Sequence, residues 1–185
     1  MQSKNTCPRP FNPWHDISVG DAAPQVIRTV IEIPQGFKAK YELDKETGLL
    51  NLDRILNTEL TYPAHYGFVP QTYCPDNDPL DMLVICAQPL VPLSTADVRV
   101  LGGFNMIDSG EQDDKIIGVV NKDPYLKSIQ TIDDLDKKLI ETILYFFAHY
   151  KNAEKKKVEI GKILNKQEAL AVVQESIALY KKTWQ

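Results

Sequence analysis

Three carboxylates lie within one short segment, Asp-Asn-Asp-Pro-Leu-Asp, which runs from Asp76 to Asp81. Asp76 and Asp78 share a face of an extended chain, and the fixed φ of Pro79 favours a bend that turns Asp81 toward them. Carboxylates at this density repel one another unless a cation lies among them. Because such hard oxygen ligands suit Mg²⁺ or Mn²⁺ and not zinc, the segment indicates a divalent-metal site, with a solvated acidic turn as the alternative.

A second acidic segment, Asp-Ser-Gly-Glu-Gln-Asp-Asp-Lys, runs from Asp108 to Lys115. By itself it is also typical of the polar tip of a hairpin. Together, the two segments predict enough carboxylate oxygens in one small domain to hold two or more metal ions. A calcium loop of the EF-hand type fits poorly, because the sixth residue from Asp76 is Asp81 instead of Gly and the twelfth is Ala87 instead of Glu.

The charge balance restricts how an anion could be bound. The chain has 21 Lys and Arg against 25 Asp and Glu, a net charge of −4, so it has no global attraction for DNA or RNA. Any anionic substrate must therefore be held by local cations or by bound metal. Solvation or the helix dipole explains each cation equally well when it is taken singly. The candidates and their polar neighbours are Lys40 and Glu42 on one strand face, Arg54 after Asp53, Lys115, and Tyr150 with Lys151 at a helix end.

The elements that must position these residues form two groups. Residues 1–26 are rich in Pro, Asn, Gly and Asp, so we expect an irregular arm there. From that arm to about residue 120, the pattern of apolar residues is typical of β-strands. The run 82–87 is continuously apolar, so we expect a strand that is buried on both faces. The predicted strands cover residues 27–33, 37–43, 49–55, 82–87, 98–107 and 115–120.

The last third of the chain has helical periodicity. Residues 133–151 and 169–184 carry apolar side chains near a 3.6-residue spacing, and Asn165 with Glu168 forms a capping-box pattern before the second helix. Strands followed by helices indicate one α+β domain over residues 1–185. Short, uneven strands fit a small five-stranded OB-like β-barrel with flanking α-helices better than a sandwich.

The sequence predicts neither export nor membrane insertion. Residues 1–20 have no apolar core of a signal peptide, and no run of about 18 apolar residues exists to span a bilayer. The three cysteines, Cys7, Cys74 and Cys86, cannot all pair within one chain. We expect reduced thiols in a cytoplasmic protein.

The segment Asp76–Met82 resembles the pattern of the soluble family I inorganic pyrophosphatases, Asp-x-Asp-Pro/Glu-hydrophobic-Asp followed by a small or hydrophobic residue. Further segments resemble that family in the same order along about residues 12–155, and no motif position departs from the pattern. They are Asn12–Asp16, Glu32–Pro34, Lys40–Glu42, Asp53-Arg54, Tyr62-Pro63, Tyr66-Gly67, Asp108–Lys115 and His149–Lys151.

The resemblance implies hydrolysis of inorganic pyrophosphate to two phosphates by direct attack of a metal-activated water, with Asp78 as the general base. It implies Mg²⁺ as the cofactor, with Mn²⁺ or another divalent ion as a substitute. It also implies a five-stranded barrel with flanking helices and a homo-oligomer, a hexamer in bacterial members of this size. The implied metal ligands are Asp76, Asp81, Asp108 and Asp113; the phosphate-binding residues are Lys40, Arg54, Tyr66, Lys115, Tyr150 and Lys151; the supporting residues are Glu32, Glu42 and Tyr62.

Two other functions are compatible with this fold class. OB-type barrels commonly bind oligonucleotides, although the net charge of −4 argues against a nucleic-acid partner here. A non-catalytic metal-binding protein of the same fold is the second alternative. We expect neither a nucleic-acid nor a membrane partner, and release of phosphate from pyrophosphate with Mg²⁺ would distinguish the enzyme from both alternatives.

Overall fold

The computed structural model of the chain describes residues 10–154 and 157–184. None of the helices in these residues is long and apolar enough to cross a membrane. Short 3₁₀ turns cover Pro124–Leu126, Ile132–Asp134 and Asn152–Glu154. The other elements are α1 (Pro13–Asp16), β1 (Val26–Ile33), β2 (Ala39–Leu43), β3 (Leu50–Ile55), β4 (His65–Phe68), β5 (Asp81–Ile85), β6 (Thr95–Asp108), β7 (Glu111–Gln112), β8 (Lys115–Val120), α2 (Lys137–His149), β9 (Val158–Leu164) and α3 (Lys166–Trp184).

One large sheet organises the fold. β1 pairs antiparallel with both β4 and β6, β5 pairs antiparallel with β4 and parallel with β8, and β8 pairs antiparallel with β6. These pairings join β1, β4, β5, β8 and β6 in a ring that returns to β1. β7 and β9 extend the sheet at β6, whereas β2 and β3 form a separate hairpin. The chain thus has a mixed, sheet-dominated fold with a few helices, as the α+β prediction requires.

The core forms where the helices cover the sheet. The residues Met82, Leu83 and Val84 of β5 are fully buried, which confirms the strand predicted to be buried on both faces. Side chains of α2, including Phe146 and Phe147, pack with β6 and β8 in one cluster. A second cluster joins α3 to β1, β5 and β6. Burial of this apolar surface is the main force that holds the ring of strands in place.

The predicted strands are confirmed in position, with errors at their ends. β2 begins at Ala39 instead of residue 37, and β5 ends at Ile85 instead of residue 87. Three strands were not predicted. β4 is four residues long and wholly buried, so it has no alternating pattern, and β7 interrupts the predicted acidic turn with a two-residue strand. β9 lies in the third of the chain that was predicted to be helical, because it pairs with the edge of β6.

The helices differ from the prediction in a similar way. The arm is not irregular throughout: α1 is a helical turn capped by the Asn12 side chain, which accepts a hydrogen bond from the Trp14 amide at 2.9 Å. α2 begins only at Lys137, because Asp136 caps it. The capping box is confirmed, since Asn165 and Glu168 each accept a hydrogen bond from the other's amide, at 3.1 and 2.9 Å. Cys74 and Cys86 are free thiols, and Cys7 lies outside the described residues.

Candidate active site

A cavity of about 430 Å³ lies beside the acidic segment that precedes β5. β5 and β8 run parallel with Asp81 opposite Lys115, so both strands begin at the same edge. Because β6 runs antiparallel to β8, its last residues and the turn to β7 lie at that edge too. All but two of the predicted site residues line the cavity: Glu32, Lys40, Glu42, Tyr66, Asp76, Asp78, Asp81, Asp108, Asp113, Lys115, Tyr150 and Lys151.

Lys115 is a buried cation in the wall of this cavity. Its side chain is 1% exposed, and its ammonium group pairs with the carboxylates of Asp81 and Asp113. Burial alone would lower the pKa of Lys115, but the two carboxylates outweigh burial and raise it. The ammonium nitrogen also lies 5.8 Å from the centroid of the Tyr66 ring, whose face attracts a cation. One positive charge is thus held between two acids.

Two more acids of the cavity also pair with lysines. Lys151 pairs with Asp108, and Lys45 pairs with Asp78. Burial alone would raise the pKa of Asp108, but the hydrogen bond and the charge of Lys151 lower it. At Asp113 burial dominates and raises the pKa to about 6, in spite of an opposing lysine charge. Acids and cations therefore lie next to one another in the cavity wall, and such a surface can bind metal ions and phosphate groups together.

Arg54 is one of the two predicted residues that do not line the cavity. It lies opposite Lys40 in the pairing of β2 with β3. Its Nη1 pairs with the Asp53 carboxylate, and its Nε lies 2.7 Å from the carboxylate of Glu154. Lys40 does reach the cavity, where its ammonium pairs with Glu42. Contact of Arg54 with a substrate would therefore require its guanidinium group to turn.

Tyr62 is the second predicted residue that does not line the cavity. It is buried behind Tyr66, with its ring centroid 5.5 Å from that of Tyr66 and 4.8 Å from that of Phe146. Gly67 fixes the position of Tyr66, because a Cβ at Gly67 would lie 1.9 Å from the Val30 carbonyl oxygen. Only glycine permits β4 to approach β1 so closely. Tyr62 therefore supports the wall and does not form it.

Sequence reasoning missed several residues of the cavity wall, of which Trp14 and Lys45 matter most. Lys45 follows β2 in a polar turn, and no spacing links it to the acidic segment. Spacing alone did not separate Asp113 from Asp114; the family resemblance selected Asp113, which does line the cavity. The Asp114 carboxylate accepts a hydrogen bond from the Met106 amide at 3.3 Å and does not line the cavity. The alternation of side chains at a strand edge decides which acid faces the cavity.

Comparison with known proteins identifies the family. The family model described as inorganic pyrophosphatase matches residues 29–181 of this chain. The chain belongs to the inorganic pyrophosphatase family. Soluble inorganic pyrophosphatase 1 of Arabidopsis thaliana is 46% identical over 169 residues, which cover 91% of this chain and 80% of that protein. The crystal structure of inorganic pyrophosphatase from Thermus thermophilus matches with a TM-score of 0.89 and 40% identity, over 92% of this chain and 99% of that chain. The family predicted from the acidic segment is confirmed.

The pyrophosphatase cavity has a donor set that suits a hard divalent cation. Asp76, Asp81, Asp108 and Asp113 all offer carboxylate oxygens to it. Burial, with neighbouring acids adding to it, raises the pKa of Asp76, and a bound cation would favour its ionised form. Within residues 10–154 and 157–184, no three acidic, His or Cys side chains lie close enough together to share a metal ion. Asp81 and Asp113 instead share the ammonium group of Lys115, so a metal would have to take the place of that contact.

Glu32 gives the pyrophosphatase fold a predicted pH dependence. Its carboxyl group is buried and accepts a hydrogen bond from the Leu43 amide at 2.8 Å. Burial, reinforced by the charge of Asp81, raises its pKa from 4.5 to about 8. Between these values the unfolded chain has released the proton that the folded chain keeps, so stability falls as the pH rises. Glu32→Gln cannot titrate, and we expect its melting temperature to rise relative to the wild type between about pH 5 and about pH 9.

The measurement is thermal unfolding by circular dichroism in EDTA, so that no metal ion competes with the proton. Glu46→Gln is the matched control, because Glu46 is exposed in the turn after β2. Its melting temperature should differ from that of the wild type by the same amount at every pH. If Glu32→Gln also runs parallel to the wild type, the Glu32 carboxyl group is ionised in the folded protein and its pKa is not raised.

Proposed function

We propose that this chain hydrolyses inorganic pyrophosphate to two phosphates, and that the reaction takes place in the cavity beside the acidic segment. The observation that carries the proposal is the convergence of eight acidic residues, five of them aspartates, and four lysines from distant segments on one cavity of about 430 Å³. Pyrophosphate is strongly anionic and resists attack by water unless positive charge offsets it. Family membership supports the same reaction, since the relative from Arabidopsis thaliana is named for it.

The metal ions of this proposal would be held by Asp76, Asp81, Asp108 and Asp113. Bound Mg²⁺, or Mn²⁺ or another divalent ion, would offset the charge of the phosphoryl groups and lower the pKa of the attacking water. Asp81 and Asp113 would release the ammonium group of Lys115 as they take up metal. That ammonium group would then be available to a phosphate oxygen.

The phosphate groups would be held by cations and tyrosine hydroxyls of the cavity wall. Lysine ammonium groups act on phosphate as point charges, and tyrosine hydroxyls donate hydrogen bonds without adding charge. The guanidinium group of Arg54 suits bidentate contact once it turns from Asp53. Glu32, Glu42 and Tyr62 would support these groups. The residues proposed to hold phosphate are Lys40, Arg54, Tyr66, Lys115, Tyr150 and Lys151.

Asp78 is the proposed general base. Its side chain is 54% exposed at the cavity, so a water molecule can reach its carboxylate. The water oxygen forms a bond to one phosphorus atom while the bond from that phosphorus to the bridging oxygen breaks. The bridging oxygen keeps the electron pair and leaves with the second phosphate, and Asp78 accepts the proton of the water. This route needs no phosphoenzyme.

Other properties implied by the family resemblance belong to the same proposal. The ring of five paired strands supports an OB-like barrel, and the cores that join both helices to the same ring support a single domain. We also propose a cytoplasmic location and a homo-oligomer, with a hexamer as the expected assembly. Sedimentation of the purified protein would test the assembly.

The function is tested by measuring phosphate release from pyrophosphate with Mg²⁺ and in excess EDTA. We expect chelation to suppress release and added Mg²⁺ to restore it, because the acids of the cavity bind the cation that activates the reaction. A simple phosphate monoester is the control substrate, and it should be hydrolysed much more slowly because it offers only one phosphoryl group to the cations. Full activity in EDTA, or equal kcat/KM for both substrates, would contradict the proposal.

A further inference from the structure

Lys45 lies in a turn whose shape is fixed by hydrogen bonds to the side chain of Asp44. The Asp44 carboxylate accepts hydrogen bonds from the amides of Glu46 and Thr47, both at 2.9 Å. These two bonds lower the pKa of Asp44 and close the turn between β2 and β3. Lys45 thus projects from a preformed turn and not from a loose loop.

The N-terminal arm holds this turn from outside. The side-chain amide of Asn12 donates a hydrogen bond to the Lys45 carbonyl oxygen at 2.8 Å. Gly48 has a φ of +73°, and a Cβ there would lie 2.2 Å from the Phe11 carbonyl oxygen. The arm and the turn are therefore in direct backbone contact, which glycine alone permits.

The ammonium group of Lys45 makes three contacts on the side of the cavity. Its nitrogen lies 5.3 Å from the centroid of the Trp14 ring, in a cation–π contact. It donates a hydrogen bond to the Asn77 carbonyl oxygen at 3.2 Å and pairs with the Asp78 carboxylate. Trp14 is 4% exposed, and its indole N–H donates to the Thr72 carbonyl oxygen at 2.8 Å. The ring that supports Lys45 is thus itself anchored.

The acidic segment has a defined backbone shape at this point. Asn77 has a φ of +68°, in the left-handed region that asparagine adopts more readily than most residues other than glycine. The Tyr73 hydroxyl is 2.5 Å from the Asn77 side-chain oxygen, and the Cys74 amide donates to the Asp78 carbonyl oxygen at 2.9 Å. These bonds shape the backbone of the segment. The side chain of Asp78 itself is contacted by Lys45.

We propose that Lys45, held on Trp14 by the N-terminal arm, is a positioning residue that fixes the Asp78 carboxylate at the mouth of the cavity through its contacts with Asp78 and with the Asn77 carbonyl oxygen. The expected effect on turnover rests on the proposed function, since Lys45 acts on the reaction only through Asp78. A small misplacement of a catalytic group can cost up to about 100-fold in rate. An exposed ion pair contributes little to stability, so removal of Lys45 should leave the protein folded.

The first test measures turnover in Lys45→Met, Lys45→Arg and the control Lys38→Met. Lys38 pairs with Glu59 at 3.2 Å on the surface and does not line the cavity, so its variant should behave as the wild type. We expect Lys45→Met to lower kcat about 10- to 100-fold with little change in KM, and Lys45→Arg to restore most of the loss. In the Asp78→Asn background, Lys45→Met should cause no further loss, because residues that act as one unit are not additive.

A second test does not depend on activity. Hydrogen exchange of the amides of Cys74 and Asn77 in EDTA should accelerate in Lys45→Met and not in Lys38→Met, with unchanged melting temperatures. If the wild type fails to hydrolyse pyrophosphate, the proposed function fails, and exchange still decides whether Lys45 holds the segment. Unchanged exchange would overturn the positioning role. A higher KM at normal kcat, or an equal loss in the Asp78→Asn background, would overturn the claim that Lys45 acts through Asp78.

Discussion

Lys115→Met is expected to unfold more easily than the wild type and to lose most of its pyrophosphatase activity. The substitution keeps an unbranched side chain but removes the charge between Asp81 and Asp113. Removing one partner of a buried ion pair typically costs about 3–5 kcal/mol, because the charge that remains is left without compensation. Urea unfolding in EDTA measures the free energy of unfolding, and phosphate release measures turnover.

Mg²⁺ separates the two roles of Lys115. A cation that binds the freed carboxylates stabilises the folded state by mass action. The difference in the free energy of unfolding between Lys115→Met and the wild type should therefore become smaller when Mg²⁺ is added. Activity should stay low, because the ammonium group that would hold a phosphate oxygen is still missing. Lys38→Met is the control, since it removes a lysine from an exposed pair and should match the wild type in both measurements. Wild-type turnover in Lys115→Met would show that Lys115 does not bind a phosphate group.

The chemistry of the site could be predicted from the sequence because its densest part is local. Asp76, Asp78 and Asp81 stand so close along the chain that their meeting requires only one bend. The position of Lys115 relative to Asp81 could not be derived in this way. It depends on the parallel pairing of β5 with β8, a contact between segments that are distant in sequence. The family resemblance supplied what the spacing could not.

The features that sequence reasoning missed also depend on contacts between segments that are distant in sequence. Lys45 looks like an ordinary turn residue until the arm, the turn and the acidic segment are brought together. β9 carries valine, isoleucine and leucine, but it follows one helix and precedes another, so the helical periodicity around it obscured a strand that only the edge of β6 stabilises. The orientation of Arg54 is a further case, because its ion pairs with Asp53 and Glu154 decide it. Tertiary partners, which local patterns do not contain, determined each of these outcomes.

Asp78→Asn is expected to lower kcat by about 10²–10⁴-fold, the range that a positioned general base typically contributes. Asparagine keeps the shape of the side chain and one acceptor oxygen, but it cannot accept a proton in this way. Asp78 differs from Asp76 in its surroundings: Asp76 is more buried and accepts a hydrogen bond from the Asp78 amide at 3.1 Å, whereas the Asp78 carboxylate is exposed and contacts Lys45. The exposed carboxylate of Asp78 is therefore the more open of the two to an attacking water molecule.

The alternative role for Asp78 is that of a metal ligand, and the two roles make different demands. A ligand mainly supplies affinity for the cation, so Asp76→Asn and Asp81→Asn should weaken Mg²⁺ binding and regain part of their activity when more Mg²⁺ is added. Asp78→Asn should bind Mg²⁺ nearly as well as the wild type and stay slow at saturation. It should recover partly at alkaline pH, because a water molecule activated by the metal ionises unaided once the pH is high enough. Titration of activity against Mg²⁺ at several pH values separates the two cases. If extra Mg²⁺ alone brings Asp78→Asn back to normal turnover, Asp78 is a ligand and the base lies elsewhere in the cavity.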